Sequence, residues 1–519
     1  MANQTLPLGP KPYISPHNSI GKEICQNLYV ELAQSESSKA QYYYLKTPGM
    51  KILNTVSDTI DTDNKGACRA MFTTAEQKTY VVNGQYFYEL YEDGTRGQKG
   101  QLISYTGPVS ITENGYQMIL VDGLAGYIFN YQDQSFVRIT DEFFPGNSEG
   151  TDAPTHVTYI DTYFLVNSPK TNQYLWSNSY YQRDHDNTTS DYDPNESQGY
   201  WNGLQMGQKM GRPDIISSLI DCTNMLWLFG NNSIEVHYDT GDYNGQLFAR
   251  YEGAIIEIGC SAPYSVSRYG NNVFWLGADK SGTIGVFTNN GMTAQRISTR
   301  GIEQIIEFMS KSTDCIGFCY AQAGHTFYVM QFPTANKTLV YDLVTQAWHE
   351  RTYLDYNNGS INMWNGMFCT FNWSTNLIGH SSFSSYFELS TTYYQNDNPT
   401  GVGVNYIKCV KTTPIEFNVG MMNRFNSIQV MFRQGVGLNI NTPENIGKDP
   451  ECEIAWSNDA GESYSNERTA KIGLQGQYQY RTRLTTLGVS RNRVWRITIT
   501  DPVEVILVGL IVDVTPMMR

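Results

Sequence analysis

Charged side chains, long apolar runs and helical periodicity are all scarce in this 519-residue sequence. Charged residues make up only 17% of it, and no long window shows the pattern of an amphipathic helix. The most apolar run, Val505 to Val512, has eight residues between Glu504 and Asp513, far too few to cross a bilayer. The N-terminus has no basic segment followed by an apolar one. We therefore expect neither a signal peptide nor a membrane anchor.

Cysteine is also sparse, and its spacing is uninformative. The nine cysteines are scattered without a disulfide framework. Only Cys315 and Cys319 lie close together, and no second Cys or His pair completes a zinc site. We expect buried free thiols in a reducing cytosol, with no metal and no cofactor.

Positive charge is in deficit, with 36 Lys and Arg against 50 Asp and Glu and a formal net charge of −14. This balance argues against a nucleic-acid groove that works by neutralising phosphates. It remains compatible with a passage through which DNA slides without sticking.

Tyr (37), Gly (45), Asn and Thr are abundant. Tyr and Thr favour strands, whereas Gly and Asn favour tight turns, so the composition predicts an all-β protein. A chain of this length is expected to form more than one domain.

A repeat of four short strands runs through the middle of the chain. The fourth unit is typical: IISSLID, MLWLFGN and SIEVHYD are followed by a strand that ends near Ile258. Seven units can be counted at spacings of about 37 to 62 residues. The last is predicted to begin with SINMWNG, residues 360–366. The anchor strands start near Tyr80, Gln117, Tyr163, Met225, Val273, Phe327 and Met367.

Four antiparallel strands at this spacing predict a β-propeller over residues 68–394. Each blade would bury both faces against its neighbours, which explains continuous apolar runs such as MLWLF. Closing the ring also removes the open sheet edge. Six blades fit if the first or last unit belongs to another domain, and a pair of β-sandwiches is the competing architecture.

Residues 180–199 interrupt the third unit with a polar, acidic insertion. Neither Asp-x-[Asp/Asn] start in it has both the glycine and the glutamate that an EF-hand calcium loop needs. We interpret it as a solvated loop and a candidate partner contact through Asp184, Asp186, Asp191, Asp193 and Glu196. Residues 302–311 have helical spacing, which predicts one short helix.

The blade rhythm stops near residue 390. Residues 395–405 are interpreted as a linker rich in Asn, Pro and Gly. Residues 406–519 alternate as strands again and predict a second, sandwich-like β domain. Residues 1–67 are predicted to form an extended arm that leads into the propeller.

The second domain contains AWSNDAGESYS, which fits the Asp-box pattern S-x-D-x-G-x-[ST]-aromatic. A short Asp in such a turn accepts backbone hydrogen bonds, and Gly supplies a positive φ. Sialidases repeat the motif on several blades, whereas here it occurs once and outside the propeller. We therefore predict a structural turn at Ser457, Asp459, Gly461, Ser463 and Tyr464.

The sequence gives little support for an enzymatic function. A site for a sugar carboxylate would need converging arginines, and spacing gives no reason for Arg212, Arg250 and Arg268 to converge. His237 and His349 lie on predicted strands, where packing within a blade is expected. The sequence contains no G-x-S-x-G, H-E-x-x-H or P-loop. We predict no catalytic residues.

Several short motifs, in their order, resemble the packaged-DNA stabilisation proteins, which are the tail hub or tail accessory proteins of short-tailed phages. One departure is Ala70, where the family pattern has Gly. The matching segments are Cys25 to Glu31, Thr47 to Gly49, Gly66 to Phe72, Ile297 to Thr299 with Ile302 and Glu303, Trp456 to Tyr464, Arg481 and Arg483, Leu487 and Gly488, Arg491 to Arg496, and Thr500 to Pro502.

The resemblance implies a virion structural protein without catalysis, assembled in the host cytoplasm. It implies a homo-hexameric ring beneath the portal and its adaptor that continues the DNA channel and retains the packaged genome. Double-stranded DNA would pass without specific binding, and a tail needle, spikes or fibres would dock. The insertion at residues 180–199 matches no part of the family pattern. The alternative function is a carbohydrate-binding or sialidase-like propeller in receptor recognition, suggested by the Asp-box and the many aromatic residues.

Overall fold

The structure is a computed structural model, and within the residues it describes the protein is almost entirely β-structure, as the composition predicts. The described residues are 2–6, 8–9, 23–33, 40–53, 66–148, 152–178, 201–242, 246–279, 281–356, 358–399, 403–414, 416–417, 421–439 and 446–517.

The N-terminal arm gives its strands to sheets built elsewhere in the chain. These strands are β1 (Ala2–Leu6), β2 (Cys25–Gln26), β3 (Leu28–Leu32), β4 (Tyr42–Lys46) and β5 (Gly49–Ile52). β3 pairs with β4, β1 and β4 both pair with the last strand of the chain, and β5 pairs with the last blade of the propeller. The arm therefore belongs to both halves of the molecule.

Seven sheets of antiparallel strands follow one another along the chain as the blades of a propeller, and all but the fifth and the seventh keep their strands in sequence order. Blade 1 consists of β6 (Cys68–Thr73), β7 (Thr79–Asn83), β8 (Tyr86–Leu90) and β9 (Arg96–Gln101). Blade 2 consists of β10 (Ser110–Glu113), β11 (Gln117–Val121), β12 (Gly126–Asn130) and β13 (Phe136–Arg138). Blade 3 consists of β14 (Val157–Ile160), β15 (Tyr163–Asn167), β16 (Gln173–Ser177) and β17 (Trp201–Gln208).

The next three blades follow the same plan, except that β22 and β23 of blade 5 both pair with β24. Blade 4 consists of β18 (Ile216–Cys222), β19 (Met225–Gly230), β20 (Ile234–Asp239) and β21 (Phe248–Ile256). Blade 5 has β22 (Gly259–Cys260), the 3₁₀-helix η1 (Pro263–Ser265), β23 (Ser267–Tyr269), β24 (Asn272–Ala278), β25 (Ile284–Asn290) and β26 (Thr293–Arg296). Blade 6 consists of β27 (Ile316–Gln322), β28 (His325–Phe332), β29 (Lys337–Asp342) and β30 (Ala347–Glu350).

A short helix, α1 (Arg300–Glu307), lies between blades 5 and 6, close to the span that its spacing predicts. Ile302 and Ile306, one turn apart, are buried in the apolar cluster between these blades. The helix thus uses its apolar face to fill the space between two blades.

The seventh unit differs from its prediction in two strands. Residues 360–366 do not begin the blade; Ile361–Met363 (β32) instead forms a hairpin with Thr352–Leu354 (β31). The blade consists of β33 (Gly366–Asn372), β34 (Thr375–His380), β35 (Tyr386–Ser390) and the N-terminal strand β5. The outermost strand comes from the arm because it closes the ring by joining the two ends of the propeller sequence.

The ring is held together by apolar clusters between neighbouring blades. Seven clusters in the described residues each join one blade to the next, and the last joins Tyr386 of blade 7 to Val81 and Tyr88 of blade 1. The first strands β6, β10, β14, β18, β23, β27 and β33 contact one another in ring order, and β33 returns to β6. These strands therefore line the axis.

The second domain is a sandwich of two sheets. Its strands are β38 (Cys409–Thr412), β39 (Glu416–Phe417), β40 (Asn423–Phe432), β41 (Glu451–Ser457), β42 (Arg468–Lys471), β43 (Thr482–Thr485), β44 (Val489–Ser490), β45 (Asn492–Ile499) and β46 (Ile506–Pro516), preceded by the hairpin strands β36 (Gln395–Asp397) and β37 (Val404–Tyr406). One sheet has the order β3-β4-β46-β40-β43, and the other contains β38-β45-β41-β42. Trp495 is fully buried in the core between them.

The propeller and the sandwich share one sheet. Arm strand β2 pairs in parallel with β30 of blade 6, where Gln26 faces Glu350, and in antiparallel with β38, where Cys25 faces Lys411. Asn27 adds side-chain bonds, donating from Nδ2 to Thr352 Oγ1 at 2.9 Å and to the carbonyl of Lys408 at 2.9 Å. The arm therefore attaches the sandwich to the outer edge of blade 6.

Candidate functional site in the axial passage and the C-terminal turn

Short polar side chains on the first strands connect neighbouring blades around the axis. Thr158 of blade 3 donates to Asp221 of blade 4 at 2.9 Å, and Asp221 also forms an ion pair with Arg268 of blade 5. Thr370 of blade 7 donates to Thr73 of blade 1 at 2.8 Å. The described lining thus combines hydroxyl groups with charges that neutralise each other locally.

One end of the passage is covered by Tyr264, on η1 just before the first strand of blade 5. Its ring centroid lies 4.8 Å from that of His156, which precedes the first strand of blade 3. Burial raises the pKa of Tyr264 to about 12, and the positive charge of Arg69 on blade 1 opposes that rise. Burial also lowers the pKa of His156 to about 4, so this imidazole is neutral at pH 7. A ring that belongs to blade 5 and contacts His156 of blade 3 therefore extends past blade 4 over the axis.

Arg69 also shapes this end of the passage, which we call the loop face because it carries the connections from one blade to the next. Arg69 exposes only 3% of its surface. It donates to the carbonyl oxygens of Gly84, Ser104, Thr106 and Gly107 at 2.5–2.9 Å. The loop between blades 1 and 2 is therefore wrapped around one side chain, an Arg that is part of the family-like motif in the sequence.

Charge is distributed unequally between the two domains. Residues 68–394 contain 17 basic and 32 acidic residues, a difference of −15, whereas residues 406–519 contain 13 basic and 11 acidic residues, a difference of +2. The acidic character of the chain therefore resides in its propeller.

The C-terminal turn at residues 457–464 is closed by its own side chains. Ser457 Oγ accepts from the Gly461 backbone at 2.8 Å and donates to Asp459 Oδ1 at 2.5 Å. Asp459 accepts from both the backbone N–H and the hydroxyl of Ser463, at 2.9 and 2.5 Å. Gly461 has a φ of 100°, a region that glycine enters without strain. Hydrogen bonds from the two serines lower the pKa of Asp459 to about 2.

Tyr464 covers the turn and is itself covered by Arg496, whose guanidinium carbon lies 4.3 Å from the ring centroid. Arg496 is paired with Glu467 at 3.1 Å, and Asp459 forms a backbone bridge with Asn492. The carboxylate thus sits in a turn anchored on β45. Its oxygens are occupied by turn donors, an arrangement that stabilises a loop and offers no free acid–base pair at this point.

The three arginines considered for a sugar site are bound in different places. Arg212, on the loop face, pairs with Glu257 at 2.7 Å. Arg268 pairs with Asp221 at the other end of the passage, and Arg250 lies on β21, opposite His237. The structure does not bring them together.

His237 and His349 are both buried within blades. His237 Nδ1 lies 3.0 Å from the hydroxyl of Tyr174, and burial lowers the pKa of His349 to about 3.

All nine cysteines are free; Cys315 is buried just before β27, and Cys319 accepts a hydrogen bond from Ser267 at 3.4 Å. Among the described residues, no three His, Cys, Asp or Glu side chains are placed to hold a metal ion. In the same part of the chain, no helix has the length and apolar character needed to cross a membrane.

The candidate contact loop lies outside the described residues. Asp184, Asp186, Asp191, Asp193 and Glu196 all belong to the segment between β16 and β17 that the structure does not describe. Its role stays a prediction from the sequence.

Sequence reasoning missed two charge clusters that tie the arm down. His325 of blade 6 lies between Asp342 and Glu31 of the arm, with N···O distances of 2.7 and 2.8 Å. Lys411 of the sandwich is fully buried and pairs with Glu23 of the arm at 2.9 Å. Neither set is contiguous in sequence, and no motif marks it.

Two family models together match nearly the whole chain. "Bacteriophage P22 Gp10, beta-propeller" matches residues 18–393, and "Bacteriophage P22 Gp10, beta-sandwich" matches residues 411–515. The chain belongs to this family. The Bacteriophage P22 Gp10 family thus accounts for both domains, and the chain is a structural phage tail protein that stabilises packaged DNA.

Wider comparisons add only the general likeness of propellers. No curated protein matches the chain. A catalytically inactive virginiamycin B lyase from Staphylococcus aureus has 11% identity and a TM-score of 0.38, covering 66% of this chain and 98% of that one. The Pan2 WD40 domain of Neurospora crassa has 8% identity, a TM-score of 0.38 and coverage of 66% and 95%. A gluconolactonase from Xanthomonas campestris has 10% identity, a TM-score of 0.33 and coverage of 72% and 98%. At these values the likenesses carry no argument about activity.

Proposed function

We propose that this protein is a tail hub: six copies form a ring beneath the portal and its adaptor, continue the DNA channel and retain the packaged genome. The observation that carries the proposal is the match of both domains to a phage tail family that stabilises packaged DNA. The copy number and the neighbours are proposed from the resemblance of the sequence motifs.

The shared sheet supports a role as a building block. Because β2 pairs with both blade 6 and β38, movement of the sandwich relative to the propeller would break backbone hydrogen bonds. Buried contacts of the arm add to this, since Lys411 of the sandwich and His325 of the propeller are both bound to arm carboxylates. A ring subunit of this kind holds its contact surfaces in a fixed relation.

Because the axis of each propeller is covered, we propose that DNA passes along the common axis of the ring of copies and not through the individual propellers. Tyr264 lies across the axis at the loop face, and first-strand side chains bond to one another beneath it. A duplex would then follow the common axis of the ring. An acidic propeller wall there would repel phosphates and let DNA slide without specific binding.

The insertion at residues 180–199 is our candidate contact for a needle, spike or fibre. Five acidic side chains in one loop suit a basic partner, and the loop interrupts a blade without being required by the repeat. Deleting the loop is expected to leave the ring intact and to loosen another tail component. The nine free cysteines fit assembly in the reducing host cytoplasm before incorporation into the virion.

Electron microscopy of purified tails, and of this protein mixed with portal–adaptor complexes, tests the proposal. We expect six copies on the portal axis, and a largely monomeric protein when the portal–adaptor complex is left out. A copy number that does not fit a sixfold or twelvefold axis, or a position away from that axis, would refute the hub.

A further inference from the structure

An exposed patch of methionine, valine and arginine lies at one end of the outer sheet of the sandwich. In the register, Arg424 on β40 is paired with Val489 on β44 and with Thr515 on β46. Paired residues, and residues two positions apart on a strand, point to the same side of a sheet. Arg424, Val489 and Thr515 therefore face one side of the sheet. Met422, Arg491 and Met517 lie one residue beyond the ends of these strands, and Met517 donates a backbone hydrogen bond to Met422 at 2.9 Å. We call these six residues the basic patch.

The basic patch combines exposed apolar surface with positive charge. Val489 and Met517 each expose 44% of their surface and Met422 exposes 38%. Arg424 and Arg491 form no ion pair with any residue in the described ranges. Asp513, two residues before Thr515, places one carboxylate on the same side, which leaves the surroundings of the patch net positive. Met and Arg are enriched at protein interfaces, whereas Lys and Glu are depleted.

The propeller presents a surface of the opposite character. Its turn face, opposite the loop face, carries the turns that join the first strand of each blade to the second and the third to the fourth. Exposed tyrosines on this face belong to four different blades: Tyr91, Tyr116, Tyr238 and Tyr269, each with an exposure of 39–45%. Exposed carboxylates stand among them: Glu92, Asp93, Asp133, Asp161 and Asp242. Lys78 on this face is already bound to Glu76.

We propose that the basic patch of one copy docks on the turn face of the propeller in the next copy around the ring. This inference rests on the proposed function, because it names the contact that would hold that ring together. Arg424 and Arg491 would meet the carboxylates of the turn face, while the methionines and Val489 would pack on its tyrosines. The domain charges of +2 and −15 have the sign that such a contact needs.

The contact is between copies because both surfaces are exposed within one copy. The two surfaces differ from each other, so the contact is head-to-tail and closes into a ring when the rotation between copies permits. A protein partner is favoured over nucleic acid because three of the six side chains in the patch are apolar. Phosphate contacts are made mainly by basic and polar groups.

A photo-crosslinker tests this contact in the assembled ring. A benzophenone-bearing phenylalanine replaces Val489, the protein is assembled on portal–adaptor complexes and irradiated, and crosslinked peptides are identified by mass spectrometry. We expect crosslinks to peptides that contain Tyr91, Tyr116, Tyr238 or Tyr269 of another copy. Crosslinks only to a sandwich, to the adaptor or to added duplex DNA would overturn the inference and leave the hub proposal standing.

A charge-reversal variant measures how much the contact contributes to ring assembly. The double variant Arg424→Glu/Arg491→Glu is expected to lower ring occupancy on portal–adaptor complexes by about tenfold, since like charges would then face each other. The matched control Lys170→Glu/Lys311→Glu makes the same change in charge at two exposed lysines on the loop face and should retain wild-type occupancy. Unchanged thermal melting of both variants shows that they fold. Equal occupancy for both variants would overturn the inference, whereas failure of the wild-type protein to form a ring would instead refute the hub.

Discussion

The propeller and the sandwich are both all-β, but they pair their strands in opposite ways. Through the first six blades each strand pairs with its neighbour in sequence, except that β22 and β23 of blade 5 both pair with β24. In the sandwich, β1 pairs with β46 and β2 with β38, so strands from the two ends of the chain lie side by side. The repeating half could therefore be recognised from the sequence, whereas the assembly of the other half depends on long-range contacts.

The N-terminal arm connects the two domains physically, because it supplies strands to both. It provides the outer strand of blade 7 and three strands of the sandwich sheet, so neither domain has its full set of strands without residues 2–52. We expect the two domains to unfold together in a single transition. The predictions below test or refine that expectation, from the largest effect to the smallest.

The largest effect is expected where the arm meets the sandwich. Lys411→Met removes a fully buried ammonium and leaves Glu23 buried without its partner. Breaking such a pair costs about 3–5 kcal/mol, while replacing both partners by apolar residues can be nearly neutral. Urea unfolding of Lys411→Met, Glu23→Leu and the double variant measures this. If the double variant is no more stable than Lys411→Met, the pair is not the source of the effect.

The next effect is expected at the closure of the propeller. A Cβ at Gly49 would collide with the backbone carbonyl oxygens of Gln395 and Tyr393, so Gly49→Ala must displace β5 from blade 7. We expect a loss of about 3 kcal/mol in the free energy of unfolding. Lys51→Ala, on the same strand, removes only an exposed ion pair with Glu388 and should cost less than about 1 kcal/mol. Two separate melting transitions in Gly49→Ala would contradict the single cooperative unit.

A smaller and pH-dependent effect is expected at His325. Burial would lower its pKa, but hydrogen bonds to Asp342 and Glu31 outweigh burial and raise the pKa to about 8, from 6.5. The protonated imidazole therefore adds about 2 kcal/mol of stability below pH 6.5, and this contribution is lost as the pH rises through 8. His325→Gln should be less stable than the wild type at pH 6 and should approach it at pH 9. A gap that widens with pH would show that the sign is wrong.

The smallest effect is expected at the C-terminal turn. Asp459→Ala removes bonds to Ser457 and Ser463 and should cost about 1–2 kcal/mol. Asn458→Ala, at an exposed neighbouring position, is the control and should change little. A glycan-cleavage assay on wild-type protein checks the alternative function. Turnover that Asp459→Ala abolishes would replace the structural role with a catalytic one.

The sequence predicted the parts of the fold whose signals are local. The run MLWLFG is buried on both faces, and Met225–Gly230 is a second strand as expected. All the side chains that close the turn at residues 457–464 lie within eight positions, so the turn could be read as a motif. The outer strand of blade 7 could not, because GMKI carries no pattern that points to Tyr386–Ser390, more than 300 residues away.

The candidate contacts were harder to predict for the same reason. His325 and Glu31 are 294 positions apart, and Tyr264 meets His156 only because blades 3 and 5 share an axis. The basic patch is assembled from three strands that are distant in sequence, so no window of residues reveals its arginines as neighbours.

The pairing of the arm also determines when its strands can fold during synthesis of the chain. Residues 2–52 leave the ribosome first, yet β1 and β4 wait for β46, which is made last. At about 5–20 residues per second, that interval is roughly half a minute to two minutes. During it β1 has no partner and β4 can pair only with β3, and an unpaired strand edge invites association with other chains. The final eleven-residue strand therefore decides when the first strands of each new chain become protected.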